Sequence, residues 1–273
     1  MTCSISRHFS GAAKSTANRV RIKGVQRSAP WNEYIASGQT KAGGAVYIAP
    51  DPEPEGAKVW FFTRRGGASE PPYHSLNVSV KVGDSRESVT ENLSRIRDAM
   101  DGRSTAWVRQ VAGDEIVRVD EAGFAGEADA LVTGCREVSL VVAVADCVPV
   151  ALVAEDEVGM VHSGWRGTLS GISGKAARSM GGEVRAYIGP CIRECCYEVS
   201  EELAATFADR FGESVVEGRY LSLPAAIRRD LEEAGVYEVH DLGLCSGCRP
   251  DLFYSHRKQG PHTGRNLAAV ARA

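Results

Sequence analysis

Long apolar runs are absent from this 273-residue sequence. No stretch reaches the roughly 18 consecutive apolar residues that a membrane-spanning helix needs. The start of the sequence also lacks the continuous apolar region that a secretory signal contains. We therefore expect neither a membrane protein nor a secreted one. The eight cysteines are accordingly expected to be reduced thiols of a cytoplasmic protein and not a disulfide scaffold.

Internal repeats and low-complexity tracts are also absent after residue 44, which excludes repeat architectures. The chain also has no excess of positive charge, since its net charge is −3. Residues 1–43 hold seven of the 32 basic residues and one of the 35 acidic ones, which leaves 25 basic and 34 acidic residues, a net charge of −9, for residues 44–273. An acidic body of this kind argues against a nucleic-acid partner.

The first 43 residues are rich in Ser, Ala and Gly and show no sustained apolar period. We predict a disordered tail there, with an organelle-targeting peptide as the alternative. Residues 44–273 are predicted to form one domain.

Helix-like and strand-like segments intermix within that domain. A helix is predicted from Asp84 to Met100, opened by a capping box with Glu87, and two more are predicted near residues 200–211 and 224–234. The centre holds three apolar runs in close succession, "SLVVAVAD", "VPVALVA" and "VGMVHS". This mixture predicts an α/β fold, a single layered α-β-α domain with a mixed central sheet.

Cys147 and His162 lie at the ends of two of these runs. If residues 155–157 form a tight turn, Pro149 faces His162 in the hairpin, and Cys147 lies two positions along on the same face. Diagonal neighbours of this kind are about 7–8 Å apart at Cα, so their side chains can converge. The pair could be two metal ligands, a thiol nucleophile with its base, or two core residues.

The segment "HSGWRG" favours a functional site. Two glycines flank the Trp-Arg pair of this segment where a strand gives way to a helix beginning near Thr168. A glycine-containing turn at a helix N-terminus offers free N–H groups and the positive end of the helix dipole to an anion, and Arg166 adds a bidentate donor. The sequence therefore predicts a thiol–imidazole site beside an anion pocket, with Cys147, His162 and Arg166 as candidate catalytic residues.

Seven ordered motifs give the chain a resemblance to a known family. The resemblance covers roughly residues 59–272, and the motifs read "TRRGGASEPPYHSLNVSVKVGDSRESVTENLSRI", "VRQVAGDEI", "ADALVTG", "ADCVPVAL", "HSGWRG", "YIGPCI" with "YEVSEE", and "DLFYSHRKQGPHTGR". The chain resembles the laccase-domain proteins of the YfiH type, also described as multi-copper polyphenol oxidoreductases and as purine nucleoside phosphorylases. The resemblance implies a single α/β domain.

The resemblance also implies a zinc site with three ligands: a His in a "QVHG" motif, the Cys of "ADC" and the His of "H-x-G-W-R-G". The last two match Cys147 and His162, but this chain reads "QVAG" and places Ala112, which has no donor atom, at the first. His74 could supply the missing nitrogen, the chain could be a degenerate member, or Ala112 could be an introduced substitution. The expected metal site is Cys147, His162 and His74 with zinc, and copper is the alternative because thiolate and imidazole suit both ions.

The activity implied by the resemblance is phosphorolysis of a purine nucleoside to the free base and ribose 1-phosphate. Adenosine deamination and methylthioadenosine phosphorolysis are associated activities, and small-molecule substrates are the expected partners. Asn77, Gln110 and Arg64 are candidates to bind the sugar or base, and Asp146 could orient a ligand. The alternatives are a copper polyphenol oxidase, disfavoured by only six histidines, a peptidoglycan-precursor editing amidase, a metal-free Cys–His hydrolase, and a binding protein without catalysis.

The remaining central and C-terminal cysteines give a weak signal. Cys245 and Cys248 have the spacing of a metal knuckle, but no second C-x-x-C pair accompanies them. We interpret them as packing residues, together with Cys191, Cys195 and Cys196, and a redox role is the alternative.

Overall fold

The structure is a computed structural model that describes residues 19–23 and 44–273. The tail predicted for residues 1–43 lies outside the described residues apart from strand β1 (Arg19–Lys23), which pairs antiparallel with strand β2 (Tyr47–Asp51). No helix within the described residues is long and apolar enough to cross a membrane.

A seven-stranded mixed sheet forms one half of the fold. Besides β1 and β2 it contains β3 (Ala57–Phe62), β4 (Ser104–Arg109), β6 (Gly123–Glu127), β8 (Val138–Val144) and β15 (Asn266–Arg272). The strand order is β1-β2-β3-β15-β8-β4-β6. Pairing is antiparallel from β1 to β8 and parallel from β8 through β4 to β6.

A six-stranded mixed sheet forms the other half. It contains β5 (Ile116–Arg118), β7 (Ala130–Thr133), β9 (Val148–Val153), β10 (Val158–Ser163), β11 (Arg185–Ile188) and β14 (Val239–Asp241). The strand order is β14-β11-β9-β10-β7-β5, with parallel pairs at the two edges and antiparallel pairs between them. A separate two-stranded ribbon joins β12 (Val216–Glu217) to β13 (Tyr220–Leu221).

Six α-helices accompany the sheets within residues 44–273. They are α1 (Arg86–Ala99), α2 (Trp165–Leu169), α3 (Ile172–Arg178), α4 (Glu201–Phe211), α5 (Leu223–Glu233) and α6 (His256–Gln259). The three longest match the three predicted helices. Helix α1 is capped by Ser85, whose hydroxyl accepts the Ser88 N–H at 3.0 Å, and not by Asp84, whose carboxylate instead accepts the Ser69 hydroxyl at 2.6 Å.

The two large sheets pack face to face between two layers of helices. Their facing sides share an apolar core that includes Phe61 and Leu140 from the seven-stranded sheet and Met160 from the six-stranded sheet. The outer face of the seven-stranded sheet packs on helix α1 through Ile96. The outer face of the six-stranded sheet packs on α3, α4 and α5. The order of the layers is therefore α-β-β-α.

The α/β class is confirmed, and the second sheet is a difference from the expected single central sheet. Strands that follow one another in the sequence change sheet, since β4 and β8 lie in one sheet while β5 and β9 lie in the other. Strands β9 and β10 are buried at every position. A strand buried on both faces shows no polar alternation, so its sequence does not indicate which sheet it joins.

Candidate active site

Three crossings between the sheets meet at one edge of the seven-stranded sheet. Strands β8, β4 and β6 are parallel to one another, and each is followed by a strand of the other sheet. The connecting segments are residues 145–147, 110–115 and 128–129. Because carboxyl ends of parallel strands lie at the same edge, the fold brings these segments together, as in other α/β proteins with sites at strand ends. They carry Cys147, Ala112 and Asp129.

The β9–β10 hairpin places His162 beside Cys147. His162 pairs with Pro149 in the observed register, which is the predicted one. Cys147 directly precedes β9, and its half-buried thiol is hydrogen-bonded to the buried imidazole of His162. Gly164 permits this approach, since a Cβ on it would lie 3.1 Å from Cys147 Sγ.

Asp129 is the third member of this arrangement, and the sequence analysis does not single it out. Its carboxylate is fully buried and accepts the Nδ1–H of His162 at 2.7 Å. Its main-chain oxygen accepts the His162 N–H, also at 2.7 Å. The usable signal was an acidic residue directly before the apolar strand "ALVT" in the motif "ADALVTG". Cys147, His162 and Asp129 thus form a continuous hydrogen-bonded series, called the thiol–imidazole–carboxylate triad below.

The triad changes the protonation of its members. Burial by itself lowers the pKa of His162, but the Cys147 sulfur and the Asp129 carboxylate outweigh burial and raise that pKa to about 9. Burial by itself raises the pKa of Asp129, but the hydrogen bonds from His162 and from the Gly113 amide outweigh it and lower that pKa. Both shifts describe a buried imidazolium–carboxylate pair at neutral pH, with a proton on each ring nitrogen.

The loop that carries Ala112 wraps around the same carboxylate. The N–H groups of Val111, Ala112 and Gly113 donate to Asp129 at 3.2, 3.1 and 2.7 Å. Ala112 adopts a φ of 58°, in the left-handed region that non-glycine residues rarely occupy. Asp129 therefore fixes both His162 and the position at which the "QVHG" motif has a histidine.

Three arginines interact electrostatically with groups around Cys147. Arg166 and Arg257 both interact with the buried Tyr197, as Cys147 does. Arg265 is half-buried and interacts with Cys147 and with Asp146. Arg166 was predicted, whereas Arg257 and Arg265 were not, although both stand in the quoted motif "DLFYSHRKQGPHTGR". Helix α2 has five residues and begins at Trp165, ahead of the predicted start, so these guanidinium groups are stronger anion donors than its short dipole.

Asp146 connects the Cys147 loop to two C-terminal segments. Its carboxylate accepts the Ser246 hydroxyl and the Arg257 N–H, both at 2.7 Å. Its main-chain oxygen accepts the Ile192 N–H at 2.9 Å. These bonds fix the backbone directly before Cys147.

The three predicted substrate-binding side chains are engaged within the protein. Gln110 makes two hydrogen bonds to the backbone of Ala143 and joins β4 to β8. Asn77 is fully buried and bonds to Ser79, Asp84 and Arg265. Arg64 donates to the carbonyls of His74 and Pro250 and lies 4.5 Å from the ring centroid of Tyr254. None of the three is brought into hydrogen-bond contact with the triad, and each holds a loop or strand in place.

A family model described as "Multi-copper polyphenol oxidoreductase laccase" matches residues 58–273. The chain belongs to this family. A purine nucleoside phosphorylase of Deinococcus radiodurans is 38% identical over 225 residues, which are 77% of this chain and 87% of that protein. The purine nucleoside phosphorylase YlmD of Geobacillus stearothermophilus is 32% identical over 249 residues, 80% of this chain and 90% of that protein. The crystal structure of YfiH from Bacillus licheniformis is similar with a TM-score of 0.77 at 28% identity, covering 85% of this chain and 98% of that one.

This member of the laccase-like family departs from the expected three-ligand metal site. His74 has an exposed side chain in the loop after β3, and the structure does not bring it together with Cys147 and His162 into one group of ligand atoms. Ala112 supplies no donor. A catalytic zinc commonly uses three protein ligands, so the two donors present do not complete the expected site, and we assign no reaction step to a metal there.

A different set of metal-ligating groups does come together. Within the described part of the chain, one group of ligand atoms is close enough together to hold a metal ion. It consists of the sulfur atoms of Cys195, Cys196, Cys245 and Cys248, which all lie within 4.8 Å of one another. These four cysteines, interpreted from the sequence as packing residues, therefore also form a group that could hold a metal ion. Cys191 is fully buried in the apolar core, in keeping with a packing role.

A groove of about 810 Å³ lies on the other side of the seven-stranded sheet, beside helix α1. Its lining is mainly apolar and includes Leu93 and Trp107, whereas Cys147 and His162 do not contribute to it. Shape alone would favour this groove as a ligand site. Arg97 and Arg103 line the groove, but no histidine, cysteine or acidic side chain does, so we locate the chemistry at the triad.

Proposed function

We propose that this chain is a purine nucleoside phosphorylase, a glycosyltransferase that converts adenosine or inosine and phosphate to the free base and ribose 1-phosphate. The observation that carries the proposal is the thiol–imidazole–carboxylate triad together with three nearby arginines. The triad supplies a proton donor, and the arginines supply a binding site for an anion. The names of the relatives at 38% and 32% identity support the same reaction.

Phosphate is assigned to the arginine side of the site. Arg166, Arg257 and Arg265 supply guanidinium forks that match phosphate oxygens bidentately. Arg257 is held by its own N–H to Asp146 and by a 2.6 Å bond from its Nη1 to the Glu198 carbonyl. A guanidinium fixed in this way loses little conformational freedom when the anion binds.

The leaving purine needs a proton, and His162 is the acid we assign to it. A phosphate oxygen forms the new bond to C1′ of the ribose while the bond from C1′ to the purine nitrogen breaks and its electron pair leaves with the base. The imidazolium of His162 can deliver a proton through Nε2, because Nδ1 is held by Asp129. Cys147 contacts the same imidazolium and helps to keep it charged.

Adenosine deamination and methylthioadenosine phosphorolysis belong to the same proposal as further reactions of one purine site. Deamination needs a water activated for attack on the adenine ring. A complete zinc or copper site supplies such activation by lowering the pKa of a bound water, but Cys147 and His162 do not complete one in this chain. Since Ala112 removes one expected ligand, we expect deamination to be weaker than phosphorolysis in this chain.

The triad favours a second candidate function, a metal-free Cys–His hydrolase. A nucleophilic thiol, an imidazole base and an orienting carboxylate in hydrogen-bond contact are the arrangement that thiol catalysis requires. In that case Cys147 attacks the substrate, and inorganic phosphate plays no part in the reaction.

One assay separates the two candidates. Adenosine, inosine and methylthioadenosine are each incubated with the protein, with and without inorganic phosphate and with and without a chelator, and the products are separated by chromatography. The proposal expects base and ribose 1-phosphate in equal amounts, formed only with phosphate. Base and free ribose formed without phosphate, and abolished by thiol alkylation, would establish the hydrolase instead.

Cys147→Ser and Cys135→Ser form a matched pair for this assay. Cys135 is another half-buried thiol and is not part of the triad. It donates a 3.1 Å hydrogen bond to the Asp120 carbonyl. We expect Cys147→Ser to lower kcat by roughly 10²-fold or more, the scale of acid–base assistance, and Cys135→Ser to leave it unchanged. Equal effects of both changes, or no phosphorolysis by either the wild type or Ala112→His, would overturn the proposed function.

A further inference from the structure

The four cysteines Cys195, Cys196, Cys245 and Cys248, called the cysteine cluster below, form a group separate from the triad. All four sulfur atoms lie within 4.8 Å of one another. Cys248 Sγ is 3.5 Å from both Cys195 Sγ and Cys196 Sγ. Four thiols converge at one point although two of them stand more than 50 positions from Cys248 in the sequence.

These separations fit a metal and not a disulfide. Four sulfurs bound to zinc at about 2.3 Å have tetrahedral edges of about 3.8 Å, close to the 3.5 Å observed. A disulfide requires a sulfur–sulfur distance of about 2.05 Å. All the described cysteines are free. A tetrahedral set of four thiolates selects zinc or iron among the common ions.

The backbone around the cluster is arranged to stabilise thiolate sulfur. Cys245 accepts hydrogen bonds from the backbone N–H groups of Arg193 and Cys248. Such bonds are the outer contacts that orient and stabilise metal ligands. Lys258 lies close enough to Cys196 to interact with it electrostatically. A zinc ion with four thiolates carries a net charge of −2, which this cation partly balances.

Two chain segments are held in register to form the cluster. Cys191 and Cys245 form an isolated parallel bridge, and the Ser246 N–H donates to the Cys191 carbonyl at 2.8 Å. Gly247 lies inside the C-x-x-C turn, where a Cβ would be 3.0 Å from Cys196 Cβ and 3.1 Å from its sulfur. The glycine therefore permits the second cysteine pair to approach the turn.

We propose that the cysteine cluster binds one Zn²⁺ in a closed tetrahedral site that stabilises the fold, independent of any metal at Cys147 and His162. With four protein ligands no place remains open for a substrate or water, which is the feature of structural zinc. Binding releases the thiol protons and requires no oxidant or reductant.

This site supports the triad through Asp146. Ser246 stands within the C-x-x-C turn, and its hydroxyl donates to the Asp146 carboxylate at 2.7 Å. Asp146 directly precedes Cys147 in the sequence. A zinc ion that fixes the turn therefore also fixes the backbone that presents the catalytic thiol.

The test is the zinc content of the full chain, purified without chelator, by elemental analysis. We expect about one zinc per chain in the wild type, in Cys147→Ser and in Cys135→Ser, and none in the double variant Cys245→Ser/Cys248→Ser. Zinc retained by the double variant, or lost equally in Cys147→Ser, would overturn the proposal. This result is independent of phosphorolysis, so failure of the proposed function leaves it unaffected.

Two measurements on the wild type cover the case in which the double variant does not fold. Replacement of zinc by Co²⁺ is expected to give the intense visible absorption of a tetrahedral tetrathiolate site. Alkylation followed by mass spectrometry is expected to modify the four cluster thiols only after chelation. A disulfide between Cys248 and Cys195 or Cys196 in the protein as isolated, bound iron in place of zinc, or alkylation that is indifferent to the chelator would contradict the zinc assignment.

Discussion

Asp129 determines the state of His162 and the position of the Ala112 loop at the same time. Its carboxylate is fully buried, yet it accepts the imidazole and three backbone N–H groups. A buried carboxylate with this many donors is stable as an anion. The single charge of Asp129 therefore holds together two of the three strand crossings that form the site.

The raised pKa of His162 predicts how the stability of the fold depends on pH. Because its folded-state pKa, about 9, is above the ordinary 6.5, this contribution is fully present below pH 6.5 and is lost as the pH rises through about 9. The lowered pKa of Asp129 acts in the other direction. Its contribution is present above pH 3.8 and is lost as the pH falls through the folded-state value.

Asp129→Asn should weaken the alkaline dependence. Without the carboxylate the pKa of His162 is expected to fall, although the Cys147 sulfur still raises it, so the melting temperature of the metal-free protein should decline less between pH 6.5 and 9. Unsatisfied buried donors should also cost about 1–3 kcal/mol of stability. Imidazole NMR titration in the presence of a chelator measures the pKa directly. Asp114→Asn, on the same loop but paired with Lys175 at the surface, is the control, and an unchanged His162 pKa in Asp129→Asn would contradict the triad.

Gly164→Ala should disturb the Cys147 thiol without unfolding the protein. The added methyl would lie 3.1 Å from Cys147 Sγ, so the sulfur must move by a few tenths of an ångström. We expect a fall in kcat of roughly tenfold with a stability loss of about 1 kcal/mol or less at this helix N-cap. Steady-state kinetics and thermal unfolding measure the two effects. Gly181→Ala, where a Cβ meets nothing within 4 Å, should change neither.

At the scale of elements, the Ala112 loop explains how the family site differs in this chain. A left-handed backbone costs a non-glycine residue about 1–2 kcal/mol, but histidine is among the residues enriched in that conformation. Ala112 adopts it with a φ of 58° because Asp129 binds its N–H. The loop therefore retains a backbone suited to a histidine although the side chain is an alanine.

Ala112→His should accordingly restore a metal site without rebuilding the loop. We expect one further zinc per chain beyond that of the cysteine cluster, and a gain in deamination and phosphorolysis. Ala112→Gly is the matched variant, because it relieves the backbone strain, with an expected gain of up to about 1 kcal/mol, and adds no ligand. Elemental analysis measures the zinc content of both variants, and thermal unfolding measures their stability. Extra zinc in Ala112→Gly, or none in Ala112→His, would show that position 112 does not face the metal.

Local features of the elements were predictable from the sequence. The β9–β10 register followed from one polar turn between two apolar runs, and the three long helices followed from their apolar period. The cysteine cluster did not follow, because a contact between Cys195 and Cys248 depends on how distant segments pack. Asp129 was missed for the same reason, since its burial arises only where three strand crossings meet.

At the scale of the whole molecule, the contact between the two sheets determines the geometry of the triad. The triad takes Cys147 from the β8–β9 crossing, Asp129 from the β6–β7 crossing and His162 from β10, so its geometry depends on the relative position of the sheets. The facing sides of the sheets are filled by one apolar core. Cores of this kind are packed as densely as organic crystals and transmit small displacements. A change in sheet separation should therefore be detected at the triad.

Gly189→Ala tests that dependence. Gly189 follows β11 of the six-stranded sheet, and a Cβ there would lie 2.9 Å from Phe61 Cζ, and closer still to two other ring atoms, in β3 of the seven-stranded sheet. A rigid buried ring cannot yield by that amount, so the sheets must separate locally, at a cost of about 1–3 kcal/mol for overpacking.

Thermal unfolding should show this loss in Gly189→Ala and not in Gly181→Ala. In Gly189→Ala kcat should fall as well, although neither Gly189 nor Phe61 belongs to the triad. Phe61→Leu combined with Gly189→Ala should recover part of both losses, because the smaller side chain makes room for the methyl group. Additive losses in the double variant would place the origin of the effect outside the Gly189–Phe61 contact. Full kcat in a destabilised Gly189→Ala would mean that the triad is held by its own hydrogen bonds and does not depend on the separation of the sheets.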